Sequence, residues 1–230
     1  MSRWHRLLPV LAVLGCSGLD EGEGGVVALQ VEVPVPSTVE VGDTLQLHAT
    51  ALDSHGEPVD AAIGWQAADP TVSVNASGLV TGVSPGTGRV QAREGSLGSN
   101  VVTLTVIARA DTLLVLGDSI RTVPAVPEPG TSGDLVTELR TFAPDTTVAS
   151  RPVIYAITFP VAGTAPGVTL SGGAQTDTVN TGVDGTVIGV QLVRVAGQPP
   201  VDSAVVTVRA ERTRGAAVPG SGQRFVIRFE

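Results

Sequence analysis

Apolar residues in this chain recur at every second position. In "VALQVEV" (27–33), Val27, Leu29, Val31 and Val33 fall on one side, and in "TLQLHATAL" (44–52) Leu45, Leu47, Ala49 and Ala51 do the same. The pattern returns towards the other end. There "VIYAITF" (153–159) aligns Val153, Tyr155, Ile157 and Phe159, and "RFVIRF" (224–229) aligns Phe225, Ile227 and Phe229. Side chains of a strand alternate between two faces, so a period of two marks a sheet with one face buried. No segment sustains the 3.6-residue apolar period of an amphipathic helix. The chain is expected to be all-β.

Turn signals divide these strands at short intervals. With 28 Gly and 16 Pro in 230 residues, stretches such as "VGD" (41–43), "DSHGEP" (53–58), "GTSGD" (130–134) and "AGQPP" (196–200) punctuate the alternation. Aromatics are only 3%, so a core must be built from Val, Leu, Ile and Ala. About seven short strands over 26–108, and a second such series over 109–230, predict two antiparallel sandwiches in tandem. "IARADT" (107–112) joins them without a long linker, which places the two modules end to end.

Charge excludes one class of partner. The net charge is −8, every one of the fourteen basic residues is Arg, and no basic stripe is present. Nucleic-acid binding needs such a stripe to neutralise phosphates, so no nucleic-acid partner is expected. The single Cys leaves no intramolecular disulfide, and stability must come from packing.

The first residues read as an address. "MSRWHRLLPVLAVLGC" opens with Arg3 and Arg6, continues in an apolar run over 7–14, and ends at Gly15-Cys16. A basic start and a short apolar run make a secretory signal. The run is far short of the roughly 20 residues a membrane-crossing helix needs. "VLGC" resembles the lipobox of bacterial lipoproteins, which implies a signal peptide over 1–15 and a lipidated Cys16. Loss of Arg3 and Arg6 with the signal would take the net charge from −8 to −10. The acidic, glycine-rich stretch after Cys16, up to residue 25, reads as a flexible tether. Such an anchor would make the membrane a partner and the bacterial envelope, outer membrane or cell surface, the location.

The segment "VEVGDTLQLHATALDSHGEPVDAAIGWQAADPTVSVNASGLVTGVSPGTGRVQA" resembles the group 2 family of bacterial immunoglobulin-like domains. The resemblance is carried by Gly42-Asp43, Asp53 with Gly56, Trp65, Asp69-Pro70, "GLVTG" (78–82) and Pro85-Gly86-Thr87. "QAAD" after the tryptophan departs from the family's serine pair. Over 109–230, "RPVIYAITF", "NTGVDGTVIGVQL" and "VVTVRA" resemble, in that order, the invasin-like group 1 family. The resemblance implies two tandem immunoglobulin-like sandwiches without catalytic chemistry.

The residues admit local readings of their own. Trp65 is expected to fill the first core with roughly 200 Å² of buried surface, and a sugar-stacking platform is the alternative. Gly78 and Gly82 suit turns needing positive φ, Pro85-Gly86 a type II turn, and Asp184-Gly185 a hairpin turn. His48 falls on the outward phase of its strand and His55 in a turn. Asp43, Asp53, Asp60 and Asp69 lack the dense spacing of a calcium loop and suit turn roles. "SGGAQTDT" (171–178) lacks the lysine of a phosphate loop. No cofactor or metal site is expected.

One motif points to chemistry. "VLGDSI" (115–120) resembles the block carrying the nucleophile of Gly-Asp-Ser esterases, which would make Ser119 catalytic. Such a serine needs a histidine base, and no histidine follows it; the three are His5, His48 and His55. "RTVPAVPEPG" (121–130) sets three prolines where a helix would have to start. Ser119 is expected in a turn at a strand end, with no catalytic residue in the chain. The function these features imply is non-catalytic binding or adhesion at the envelope, towards a polysaccharide or protein partner. A passive spacer or scaffold is the alternative, and an esterase the minor one.

Overall fold

The computed structural model describes residues 25–124, 130–160, 167–198 and 201–230; among them every regular element is a strand. Cys16, the expected signal and nearly all of the tether lie outside the described residues.

The strands enclose two hydrophobic cores. In the first, Ala28–Glu32 pairs antiparallel with His48–Leu52, which also takes the short Pro58–Val59. Facing them, Gly86–Glu94 lies between Gly64–Ala67 and Val102–Ile107. A small sheet of Thr44–Gln46, Leu79–Gly82 and Val72–Val74 completes the enclosure. Leu29, Val39, Leu47, Val80, Val90 and Leu104 are among the side chains that fill it.

The second core is larger. Its main sheet runs Ile120–Val123, Arg224–Phe229, Ser203–Ala210, Pro152–Phe159, Thr176–Asn180. Opposite stand Thr112–Val115, Thr137–Arg140 and Thr186–Val187, with Val168–Leu170 and Leu192–Arg194 as a further pair. Tyr155 crosses the interior, and its hydroxyl meets Thr137 Oγ1 on the facing sheet at 2.6 Å. Burial pushes this phenol up to about 12.

Both halves share one topological device. Ala28–Glu32 belongs to one sheet, but a few residues later Thr38–Glu40 lies parallel to Val102–Ile107 in the other. In the second half Thr112–Val115 pairs with Thr137–Arg140, and Ile120–Val123 then runs parallel to Arg224–Phe229. The first strand of each sandwich is thus divided between its two sheets, parallel to the last strand. These are immunoglobulin-like sandwiches, and the divided strand covers an edge of both sheets.

Several local expectations change. "TLQLHATAL" is not one strand: it breaks at Leu47, and its two parts pair in different sheets. Phe159 is half exposed rather than inward, because the register of Pro152–Phe159 against Ser203–Ala210 shifts between Ile157 and Phe159. A bulge flips every later side chain to the opposite face. "GTVIGVQLVRV" is broken at Gly189, whose φ is 82°. Trp65 is half buried at the edge of the first core, with its ring against Gly78. Gly78 has φ 80° as expected, but Gly82 lies in a strand without positive φ. It is small for another reason: a Cβ there would lie 2.6 Å from the Glu40 carbonyl oxygen.

Candidate functional site

Glu40 ends the strand Thr38–Glu40, next to the inward Val39. Alternation would send its side chain outward to water, yet Glu40 is 0% exposed. The second half covers it. Its Oε1 accepts hydrogen bonds from Arg151 Nη2 at 2.5 Å, Thr213 N at 2.8 Å and Thr213 Oγ1 at 3.0 Å. Oε2 has no partner among the described residues. Arg151, also buried, donates in addition to the carbonyls of Ala108 and Glu211, each at 3.3 Å. One guanidinium therefore ties the first sandwich, the connecting segment and the second sandwich together.

The connection itself is short and held at both ends. Only residues 108–111 separate Val102–Ile107 from Thr112–Val115, and Ala110 is fully buried in the second core. Asp111 is the hub. Its Oδ1 lies 2.8 Å from Arg109 Nε and 3.5 Å from Arg212 Nη2, and its Oδ2 accepts the Phe142 amide at 3.0 Å. Arg212 Nε also donates to the Ala110 carbonyl at 3.2 Å.

Beside this hub a cleft of about 450 Å³ opens between the halves. Val41, Val83 and Pro85 line one side, Phe142 and Pro144 the other, and Arg109 and Asp111 are the charged residues in its lining. Phe142 is 67% exposed and Val83 51% exposed. Exposed apolar side chains clustered at a module boundary mark a binding surface more often than isolated ones do. The residues come from four segments far apart in the sequence, and no motif announced them.

Ser119 occupies a different place. It is exposed, in the bend that carries the chain from Thr112–Val115 in one sheet to Ile120–Val123 in the other. A strand follows it, not a helix, and its carbonyl accepts the Val226 amide at 2.7 Å. Arg121 fixes the turn, donating to the carbonyls of Asp118 (2.9 Å), Ser132 (3.1 Å) and Asp134 (2.7 Å), with its guanidinium 5.5 Å from the Phe225 ring centroid. Gly-Asp-Ser thus forms the sheet-to-sheet crossing of the second sandwich. His48 and His55 are exposed and belong to the first sandwich.

One local trio went unnoticed in the sequence. His55 Nδ1 lies 3.4 Å from Ser54 Oγ and 3.7 Å from Asp53 Oδ2. Both partners address the same ring nitrogen, whereas a nucleophile and its orienting acid need opposite ones. Asp53 is instead a turn former: its Oδ1 accepts the amides of Glu57 (2.9 Å) and His55 (2.8 Å), and the Glu57 bond leads in holding its carboxyl below the usual range. Asp69 is held down by Arg89, and Asp184 by the Thr186 amide. Asp43, Asp53, Asp60 and Asp69 do not converge. Among the described residues no group of three or more His, Cys, Asp or Glu could hold a metal ion, and no helix is long and apolar enough to cross a membrane.

No family model matches the sequence, and no curated protein matches it. Solved structures are similar at low identity. The adhesin InvE of Yersinia pseudotuberculosis is 17% identical over 91% of this chain and 61% of its own, with a TM-score of 0.42. The three N-terminal domains of the highly immunogenic outer capsid protein of bacteriophage RB49 are 13% identical over 88% of this chain and 70% of theirs, with a TM-score of 0.40. The D00-D0 domain of intimin is 17% identical over 86% of this chain and 98% of its own, with a TM-score of 0.28. The chain thus spans about three fifths of the InvE chain. The immunoglobulin-like assignment of both halves stands on their strand order.

Proposed function

We propose that this chain is a non-catalytic binding or adhesion module of the bacterial envelope, attached by a lipid on Cys16 and exposed at the outer membrane or cell surface. Its first sandwich, over 26–108, is read as a group 2 bacterial immunoglobulin-like domain, and its second, over 109–230, as an invasin-like one. The observation that carries this reading is the apolar cleft at the junction, with Phe142 and Val83 left open to solvent beside Arg109. Covering such side chains with a partner is favourable, because it removes apolar surface from water.

The buried Glu40–Arg151 pair favours a second reading, a passive spacer. A junction clamped by buried charges holds two sandwiches as one stiff arm, which serves display as well as binding. The two readings separate on arrays of glycans and peptidoglycan fragments probed with the mature protein. Saturable binding lost on substituting Phe142 supports a binding module; silence leaves the spacer. The anchor has its own test. Cys16→Ser is expected to move the protein out of membrane fractions, and its retention there would remove the lipid from the proposal.

A further inference from the structure

The cleft carries an uncommitted cationic fork. Arg109 Nε contacts Asp111 at 2.8 Å, but its two Nη groups make no hydrogen bond among the described residues, and its side chain is 38% exposed. Gly42, with φ 80°, stands against this edge; a Cβ there would lie 3.4 Å from Arg109 Nη1. Asp111 cannot neutralise the site alone. It is shared with Arg212 and also accepts the Phe142 amide, so two guanidinium groups face one carboxylate. The result is a local positive excess in a chain of net charge −8.

We infer that the junction cleft binds an extended peptide segment of a partner protein in which a glutamate or aspartate is flanked by apolar residues. The inference rests on the binding-module reading above. A guanidinium with free Nη groups presents parallel N–H donors at the spacing of a carboxylate, so the acidic side chain pairs with Arg109. Flanking apolar side chains meet Phe142 and Pro144 on one wall and Val83 and Pro85 on the other. The size suits a few residues rather than a folded face, and the solvent-exposed rim residues allow the peptide to run through. The acidic residue provides the specificity, because a neutral isostere leaves the guanidinium desolvated and only partly bonded.

The test uses the full chain purified in detergent and a fluorescein-labelled hexapeptide of one glutamate between leucine and proline residues, with a glutamine version as control. Fluorescence anisotropy is expected to show saturable binding of the glutamate peptide and about tenfold or more weaker binding of the glutamine one. Arg109→Gln is expected to abolish that discrimination, and Phe142→Ala to weaken both peptides together. Thermal melts of each variant report whether the fold persists, and Phe142→Ala alters an exposed side chain only. No saturable binding by the wild-type chain, or discrimination that survives Arg109→Gln, overturns the inference. Binding on the glycan arrays alongside such a failure would sink the peptide site alone and leave the module reading intact.

Discussion

Glu40 and Arg151 stand 111 positions apart and meet at 2.5 Å with neither side chain reached appreciably by water. Desolvating two charges is expensive, and their attraction compensates only when the other lone pairs and protons are occupied. Here that condition is met in part: Thr213 supplies two further donors to Oε1 and two carbonyls occupy the guanidinium, while Oε2 has no partner among the described residues. Such a pair fixes the relative placement of the elements it joins.

Glu40→Ala is expected to cost roughly 3–5 kcal/mol, because Arg151 is left buried and uncompensated. Replacing both partners, as Glu40→Leu with Arg151→Met, should cost clearly less than the sum of the single changes. Chemical denaturation gives the energies, and small-angle scattering reports whether the two sandwiches lose their fixed arrangement. Additive single effects would show that the pair is not coupled.

Gly82 and Gly56 should respond differently to alanine. At Gly82 a Cβ meets the Glu40 carbonyl oxygen at 2.6 Å and Val106 Cγ1 at 3.1 Å. Backbone must shift, at an expected cost of ~1–3 kcal/mol or more. At Gly56 nothing lies within 4 Å and only the φ of 80° opposes the change, so about 1 kcal/mol is expected. Melting both variants beside the parent ranks them.

Tyr155→Phe removes the 2.6 Å contact and strands Thr137 Oγ1 in a dry interior, an expected loss of ~1–3 kcal/mol. The parent should also weaken in alkali. Tyr155 is neutral when protonated, and its pKa is raised from 10.0 to about 12. Between those values the unfolded chain has given up a proton that the folded chain retains, so stability falls as pH rises through the window. Denaturation midpoints at several alkaline pH values should show this fall, reduced in Tyr155→Phe.

In acid the sign is opposite. The carboxyls of Asp53, Asp69 and Asp184 are held below their ordinary 3.8 by the Glu57 amide, the Arg89 side chain and the Thr186 amide respectively. Their stabilisation is present above that value and is lost as pH falls through the folded values. All three are solvent-accessible, so salt should blunt the effect of Asp69 with Arg89 first. Asn substitution at Asp69 should flatten the acid limb of the stability profile.

Ser119→Ala is expected to change stability by no more than about 0.5 kcal/mol, since its contact is made by the backbone carbonyl. Incubation of the parent with a fluorophosphonate probe and p-nitrophenyl acetate should leave Ser119 unlabelled and the ester intact. A covalent adduct on that serine would restore the esterase reading.

Alternation by itself was enough to determine that this chain forms sheets, where most strands lie and which face of each is buried. Leu29 with Val31, Val153 with Tyr155, and Phe225 with Ile227 and Phe229 all point inward as the period of two requires. That information is local, because the pleat sets it within each strand. What local pattern cannot hold is which sheet a strand joins and what lies across the next boundary. The bulge that turns Phe159 outward arises from its pairing with Ser203–Ala210. The smallness of Gly82 answers to Glu40, and the burial of Glu40 answers to Arg151 and Thr213, more than a hundred residues away. Arg109, Phe142 and Val83 share a cleft only because the two sandwiches meet at that point. Contacts between distant segments depend on closure of the whole chain, and so only the tertiary structure could decide them.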